Sequence, residues 1–369
     1  MACPFAQLSP LVLLSLIALF FQFGASFFLP KPLAASLHRG RVLSEYNAGV
    51  GGSARNRASS PPPHHHGGRT GNGETPRGPR MVGGLGAGVL APPEGVSTTE
   101  DLESDPLPWT ESMGTGGPLL YSGMLRWQAS ALELGLGLDR VPCPCGMGTV
   151  CNTDKKARVR NLVYAGDRVR KLRISYLDTP GIQACRQPLS VYSSVAYSTG
   201  GYDFPLLGVS AMAMGRVRVL ALDLQPLFSG PEYAAKYADA NAKMGAIREK
   251  YPKMGQELQK DYYKGSPFFS SNMLYARWGP EEEASGFMQE VVMPAFQECI
   301  QTYIDLVNEA PAPTHAPGSA AEKAILERQA EFDRFHAERE QVRPVMTANF
   351  GAAWADNYIS EVLFAYGRG

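Results

Sequence analysis

The run DFPLLGVSAMAMGRVRVLALDLQPL, residues 203–227, contains two apolar stretches and closes with Asp-Leu-Gln-Pro-Leu at 223–227. Short stretches rich in Val and Leu, bounded by Gly, Pro and Asp, are typical of β-strands. We therefore expect a central hairpin here. The first stretch contains a single hydroxyl residue, Ser210.

Similar short runs lie on both sides of this hairpin. VRNLVYAG, RKLRISYLD and LSVYSSVAYS precede it from Val159 onwards, and SSNMLYARW at 270–278 follows it. Because the connections among the first five runs are too short for crossover helices, we expect an antiparallel meander. Helical patterns cover 119–135, 232–263, 281–309, 320–338 and 345–364. A sheet followed mostly by helices predicts an α+β fold, a three-layer α/β/α sandwich with a central antiparallel sheet.

Length and composition limit the choices further. The chain has 369 residues, and we expect one folded domain at 105–369, because the preceding sequence lacks the pattern of a core. The formal net charge is zero, so no global field indicates nucleic acid as a partner. Six cysteines are few for a disulfide scaffold of this length, which favours a reducing compartment.

The N-terminal region has the composition of a targeting sequence. SPLVLLSLIALFFQFG at 9–24 has the length of a signal-peptide core, and small residues follow it, so 1–26 is a predicted signal peptide. The run is shorter than the roughly 20 residues that cross a bilayer, so no membrane contact is expected of the mature form. Residues 27–104 are rich in Arg, Ser, Gly and Pro, like a transit peptide and linker. Together they resemble the two-part presequence of algae with a secondary red-type plastid, which implies delivery to the plastid stroma.

Two groups of residues raise the question of a metal. Cys143, Cys145 and Cys151 have the spacing Cys-x-Cys-x5-Cys, which fits no usual zinc or iron–sulfur pattern. A loop with free thiols is favoured, and a redox role stays open. Three histidines at 64–66 follow three prolines without a nearby cysteine or carboxylate cluster, so a linker is favoured there. No resident metal is predicted.

Five ordered blocks of the chain carry a resemblance to a known family. They are RNLVYAGDRVRKLRISYLD, PLSVYSSVAYS, FPLLGVSAM with RVRVLALDLQPLF, PFFSSNMLYAR and NFGAAWADNYISEVLF, between residues 160 and 364. In order and spacing they resemble the ferredoxin-dependent bilin reductases. The resemblance implies a three-layer fold and reduction of biliverdin IXα or 15,16-dihydrobiliverdin in phycobilin biosynthesis, on the phycoerythrobilin side. It also implies electrons from reduced ferredoxin, no bound cofactor, and a downstream bilin reductase or lyase as a further candidate partner.

The chemistry of bilin reduction requires proton donors as well as electrons. Carboxyl groups in an apolar pocket serve, because burial raises their pKa. The resemblance places three proton-donor positions of the family on Ser210, Ser193 and Glu340, where the family carries Asp, His or Asn, and Asp. A serine cannot act as the acid near neutral pH, so Ser210 and Ser193 are expected to position water or a bilin carbonyl. Glu340 is the candidate acid, with a solvated glutamate in the run HAERE as the alternative.

Loss of the usual aspartate leaves a second class of function open. The same pocket could serve a bilin carrier or a chromophore-attachment chaperone without turnover. Asp223, the next carboxylate along the hairpin, is interpreted as a structural residue that binds turn amides.

Basic residues suit the charged groups of both partners. The two bilin propionates favour arginine, and the resemblance places Arg218 and Arg277 near propionate positions, with ordinary strand arginines on a solvated face as the alternative. Ferredoxins are acidic, so a basic run is a candidate docking surface, with a solvated strand edge as the alternative. The predicted docking residues are Lys155, Lys156, Arg158, Arg170 and Lys171.

Overall fold

The computed structural model describes residues 96–99, 105–152, 157–181, 187–257, 266–313 and 315–365. The predicted signal peptide and most of the predicted transit segment lie outside these ranges, as do Lys155 and Lys156. Within the described ranges, no helix combines the length and the apolar character that crossing a bilayer requires.

A single antiparallel sheet organises the described residues. Its strands are β1 (Val96–Thr99), β2 (Asp139–Val141), β3 (Thr149–Asn152), β4 (Ala157–Ala165), β5 (Val169–Thr179), β6 (Leu189–Ser198), β7 (Leu206–Met214), β8 (Val217–Gln225) and β9 (Leu274–Trp278). They pair in the order β1-β3-β4-β5-β6-β7-β8-β9, and β2 pairs with β4. The meander from β4 to β8 matches the expectation. The sequence pattern did not predict β1 to β3, and β1 lies before the expected domain start at 105.

Eight α-helices in the described ranges accompany the sheet. They are α1 (Ser122–Leu136), α2 (Pro231–Lys236), α3 (Ala238–Lys250), α4 (Pro280–Ala284), α5 (Met293–Glu309), α6 (Ala320–Glu338), α7 (Arg343–Phe350) and α8 (Ala352–Tyr358). The bounds of α6 are those that the sequence predicted. The predicted helix at 345–364 is divided at Gly351, whose φ of 91° lies in the left-handed region that glycine adopts without strain. A π-helical turn at Ile359–Leu363 follows α8.

The helices pack on both faces of the sheet, which confirms the three-layer α/β/α architecture. On one face, Val209 and Leu222 are buried in a core that also contains Phe296 of α5. On the other face, Val195 of β6 belongs to a smaller core with Phe332 of α6. Side chains of a strand alternate between the two faces, so each strand contributes to both layers.

Candidate active site

A row of side chains crosses the middle of the sheet from β4 to β8. Asn161 lies opposite Ser175, Ser175 opposite Ser193, Ser193 opposite Ser210, and Ser210 opposite Ala221. Directly opposed residues share one face of a sheet, so the two serines predicted at catalytic positions are neighbours. The structure therefore brings Ser193 and Ser210 together, on the face opposite the Phe296 core.

This face is open to solvent around Ser210. Ser210 is exposed although it lies within a central strand, and partly exposed side chains surround it on β6, β7 and β9. Its neighbours on β7, Val209 and Ala211, point to the opposite face and are almost fully buried. We call this area the open floor; it consists of Val191, Ser193, Gly208, Ser210, Met212, Tyr275 and Arg277. Its mixed polarity suits a ligand lying flat on the sheet.

Arg173 of β5 lies at the buried edge of the open floor. It is 2% exposed, and its Nη1 donates hydrogen bonds to Ser193 Oγ at 3.0 Å and to Ser175 Oγ at 3.1 Å. The guanidinium carbon lies 6.0 Å from the centroid of the Phe364 ring. Arg173 follows the predicted docking residues Arg170 and Lys171 closely in sequence, but it is an interior residue that contacts the predicted site serine Ser193.

Glu340, the predicted proton donor, follows the C-terminus of α6. Its carboxyl accepts a hydrogen bond from the amide of Val342 at 2.9 Å. Burial raises the pKa of Glu340, while that amide and the charge of Arg173 oppose the shift. Glu340 is therefore a partly buried carboxyl near the arginine that binds Ser193, and not a solvated member of a charged run. A raised pKa keeps the proton available closer to neutral pH.

His336 of α6 is a second titratable side chain in this region. Its ring packs against Phe332 at 4.2 Å and stacks on Phe364 at 5.9 Å between centroids. Burial, aided by the charges of Arg173 and Arg339, lowers the pKa of His336 to about 3. The imidazole is consequently neutral at physiological pH. Nothing in the sequence pattern marks it as a site residue.

Asp223 shares the face of Ser210, one register step away, opposite Gly208. Its carboxyl accepts hydrogen bonds from the backbone amide of Ser270, at 2.8 Å, and from the Ser270 hydroxyl. The expected structural role as an amide acceptor is thus observed, although the amide belongs to the segment before β9 and not to its own turn. Burial raises the pKa of Asp223 to about 7, against the effect of the Ser270 hydrogen bonds.

The two arginines predicted to bind propionates lie on different faces of the sheet. Arg277 pairs with Val219 and belongs to the open floor, where Gln256 binds its backbone N–H and C=O. Arg218 shares the face of Leu220, opposite the open floor, and forms an ion pair with Glu283 at 3.1 Å. The structure therefore brings Arg277, and not Arg218, to the face that carries Ser193 and Ser210.

The predicted docking residues within the described ranges are engaged inside the domain. Arg158 forms an ion pair at 3.0 Å with Asp178, which is fully buried. Arg170 donates to the Gln329 side chain of α6 at 2.7 Å. Lys171 is 5% exposed, donates to the carbonyl of Val362, and burial lowers its pKa to about 8. An acidic partner cannot reach Lys171 in this arrangement, because helices cover the strand on which it lies.

The segment with the three neighbouring cysteines lies within the described residues. Cys143, Cys145 and Cys151 are not joined in disulfides, and the described residues contain no group of three His, Cys, Asp or Glu side chains arranged to hold a metal ion. Cys145 has a φ of 57°, which is uncommon for a residue other than glycine. The histidines at 64–66 lie outside the described residues.

Sequence reasoning missed Arg173, His336 and Ser175, the buried hydrogen-bond partner of Arg173. One available signal was the alternation in RKLRISY, where Lys171, Arg173 and Ser175 alternate with apolar residues. In a sheet covered by helices on both faces, such a polar stripe must be buried and paired. The predicted docking surface instead treated Lys171 as a surface charge.

Comparisons with known proteins agree with this architecture. A family model described as ferredoxin-dependent bilin reductase matches residues 128–365. A relative from Nostoc punctiforme named 15,16-dihydrobiliverdin:ferredoxin oxidoreductase is 29% identical over 209 residues, which cover 56% of this chain and 79% of the relative. A protein of the same name from Gloeobacter violaceus is 27% identical over 249 residues, covering 66% and 95% of the two chains. A Nostoc punctiforme phycoerythrobilin:ferredoxin oxidoreductase is 26% identical over 250 residues, covering 66% and 92%.

A solved structure shares the fold. The crystal structure of tomato phytochromobilin synthase in complex with biliverdin matches with a TM-score of 0.55 and 17% sequence identity. The match covers 67% of this chain and 83% of that chain. At this identity the likeness bears on the fold alone.

The buried carboxyl of Asp223 predicts a pH dependence of stability. Its pKa rises from 3.8 to about 7 on folding, so the folded chain keeps a proton that the unfolded chain loses between these values. The free energy of unfolding should therefore fall as the pH rises from 4 to 7, by at most about 1.4 kcal/mol per pH unit. Asp223→Asn should flatten this slope in urea unfolding at pH 5, 6 and 7. Asp239→Asn, at an exposed position of α3, is the control, and equal slopes in both variants would contradict the prediction.

Proposed function

This chain belongs to the ferredoxin-dependent bilin reductase family, as its ordered blocks predicted, and we propose that it reduces a linear tetrapyrrole with electrons from ferredoxin. The observation that carries the proposal is the open floor, where a broad solvent-accessible sheet face holds Ser193 and Ser210, with a buried cation beside it and a carboxyl of raised pKa near that cation. The matched family and the 15,16-dihydrobiliverdin oxidoreductase relatives support this ligand class. The substrate is biliverdin IXα or 15,16-dihydrobiliverdin, in phycobilin biosynthesis.

The residues of this chain supply positioning and protons. Reduced ferredoxin delivers one electron at a time, so each reduced double bond requires two electrons and two protons. Glu340 is the proton donor, because burial raises its pKa and a carboxyl that holds its proton near the working pH is an effective general acid. Ser193 and Ser210 position the ligand by hydrogen bonds, since a hydroxyl can both donate and accept.

Binding of the ligand propionates is assigned to Arg277. It lies on the open floor, and a guanidinium binds a carboxylate through paired, charge-assisted hydrogen bonds. We do not assign this role to Arg218, because it lies on the opposite face and is paired with Glu283. Docking of ferredoxin through Lys155 and Lys156 stays a prediction.

The two arginines form a matched pair of variants. Arg277→Gln should weaken biliverdin binding about tenfold or more, since a charge-assisted hydrogen bond contributes about 1.5–3 kcal/mol. Arg218→Gln should leave the dissociation constant unchanged, because its guanidinium lies behind the sheet. Absorbance titration of the oxidised bilin measures both values. Equal weakening in the two variants would contradict the assignment.

Turnover is tested by anaerobic incubation with biliverdin, ferredoxin and a ferredoxin-reducing system. We expect a shifted absorption spectrum and a product that has gained two hydrogens by mass. Glu340→Gln should lower kcat by about 10²-fold or more, the usual size of a general-acid contribution, while binding persists. Ser210→Asp should increase the rate if the serine limits proton delivery.

The carrier alternative has a distinct outcome in the same assay. Tight binding of biliverdin by the wild-type chain without product would replace the reductase proposal with the carrier or chaperone function. Release of the reduced bilin would reject that alternative.

We also propose that the chain is imported into a plastid stroma through residues 1–26 and 27–104. The apolar core at 9–24, followed by acid-poor sequence, supports this proposal. Residues 1–104 fused to a fluorescent protein should direct it to the plastid in an alga with a secondary red-type plastid. The same fusion without 1–26 should remain in the cytosol, and plastid import of this truncated fusion would contradict the two-step route.

A further inference from the structure

Arg173 is a buried cation without a carboxylate in direct contact. It is 2% exposed, and no Asp or Glu in the described part of the chain lies within 4.0 Å of its nitrogens. Its Nε has no hydrogen-bond partner among the described residues. A buried charge without a partner costs several kcal/mol in a protein interior. The fold therefore maintains a positive charge beside the open floor at a cost to stability.

The hydrogen bonds of Arg173 fix the direction of two hydroxyl groups. A guanidinium can only donate, so both Ser175 Oγ and Ser193 Oγ accept from its Nη1. Ser175 then donates its own proton to Asn161 Oδ1 at 2.7 Å. The orientation of Asn161 is consistent with this, because its Nδ2 donates to the carbonyl of Met147 at 2.7 Å.

Ser193 differs from Ser175 in one respect. Ser175 is 5% exposed and uses its hydroxyl proton inside the domain. Ser193 is partly exposed, borders Ser210 on the open floor, and receives a hydrogen bond from Arg173. Its hydroxyl proton is therefore the one that can be donated toward a molecule on the open floor. A cation that donates to the oxygen polarises the hydroxyl and strengthens it as a donor.

We propose that Arg173 is a positioning residue that polarises Ser193, so that Ser193 donates a hydrogen bond to a lactam carbonyl oxygen of the bilin and stabilises the charge gained in one-electron reduction. This assignment rests on the proposed function and deepens it. Preorganised donors aimed at developing negative charge are among the strongest contributions to catalysis, because they require no reorganisation during the reaction.

The electron and proton balance of this step is simple. Reduced ferredoxin loses one electron and the bilin gains it, so the negative charge of the tetrapyrrole increases by one and no bond breaks. A proton from Glu340 then neutralises this charge. A second electron and a second proton, taken up from solvent, complete the saturation of one double bond.

The test compares Ser193→Ala with Ser175→Ala. Both variants remove one acceptor of Arg173, but only the first removes the donor to the open floor. We expect Ser193→Ala to lower kcat about 10- to 100-fold, somewhat below the loss seen for a full oxyanion donor, with KM within about threefold. Ser175→Ala should keep kcat within about threefold of wild type while lowering the melting temperature, because it breaks buried hydrogen bonds.

Arg173 variants show whether the arginine and the serine act as one unit. Arg173→Met should lower kcat at least as much as Ser193→Ala, and the double variant should be no slower than Arg173→Met, since coupled residues are not additive. Arg173→Lys should restore part of the rate. Arg173→Met should also raise the apparent pKa in the pH dependence of kcat, because it removes the positive charge that opposes protonation of Glu340. Ser193→Ala should leave this apparent pKa unchanged.

The reduction potential of the bound bilin tests the assignment even without turnover. The first reduction potential of the bound bilin should become more negative in Ser193→Ala by about 59 mV for each tenfold loss of charge stabilisation. If both the reduction potential and kcat were unchanged in Ser193→Ala, the proposed role of Arg173 would be overturned. The same would follow if the losses of kcat in the two single variants multiplied in the double variant. Absence of bilin binding by the folded wild-type chain would instead overturn the proposed function, and with it any role of Arg173 in it.

Discussion

The site depends on the register of the antiparallel meander. Because side chains alternate between the faces of a strand, a slip of one residue would move every site residue to the wrong face. The register is fixed from the other side of the sheet, where Val209 and Ala211 flank Ser210 in sequence and are buried in the α5 core. Burial of these two residues therefore determines that Ser210 faces the open floor and lies opposite Ser193. The same strand register therefore places the apolar side chains in the core and the polar side chains in the candidate site.

The sequence predicted those features that depend on local pattern. The strands from β4 to β9, the layer order and the bounds of α6 all follow from periodicity and turn residues within a few positions. The face of the sheet on which an arginine lies cannot be predicted in this way, because it depends on the pairing of strands that are distant in sequence. Arg218 and Arg277 were equivalent as sequence, but register places one behind the sheet with Glu283 and the other on the open floor. The strands β1 to β3 escaped prediction because they are short and take their stability from their neighbours.

The basic run illustrates a second limit of sequence reasoning. Lys171 and Arg173 alternate with Leu172 and Ile174, and both faces of β5 are covered by helices. Charge counting assumes that long basic side chains reach water, but here they bind carbonyl and hydroxyl groups of the domain. The density of basic residues along the sequence therefore indicated a charged surface. Because these side chains are buried, their charges instead produce an electrostatic field inside the domain. In a low-dielectric interior that field is much stronger than at a solvated edge.

This interior field changes how the two serines should be understood. A carboxylate at position 193 or 210 would partly neutralise Arg173, since opposite charges a few ångströms apart compensate each other. With hydroxyl groups at both positions, Arg173 has no such compensation from residues 193 and 210, and burial holds the pKa of Glu340 above its ordinary value. The potential at the open floor is then more positive before the reaction than in a site with aspartate. Such a potential favours electron uptake before proton transfer. The reason is that the electron gives the ligand an additional negative charge, and the nearby positive charge of Arg173 stabilises it. In the proposed reaction, we therefore expect the two serines to change the order in which electrons and protons reach the bilin.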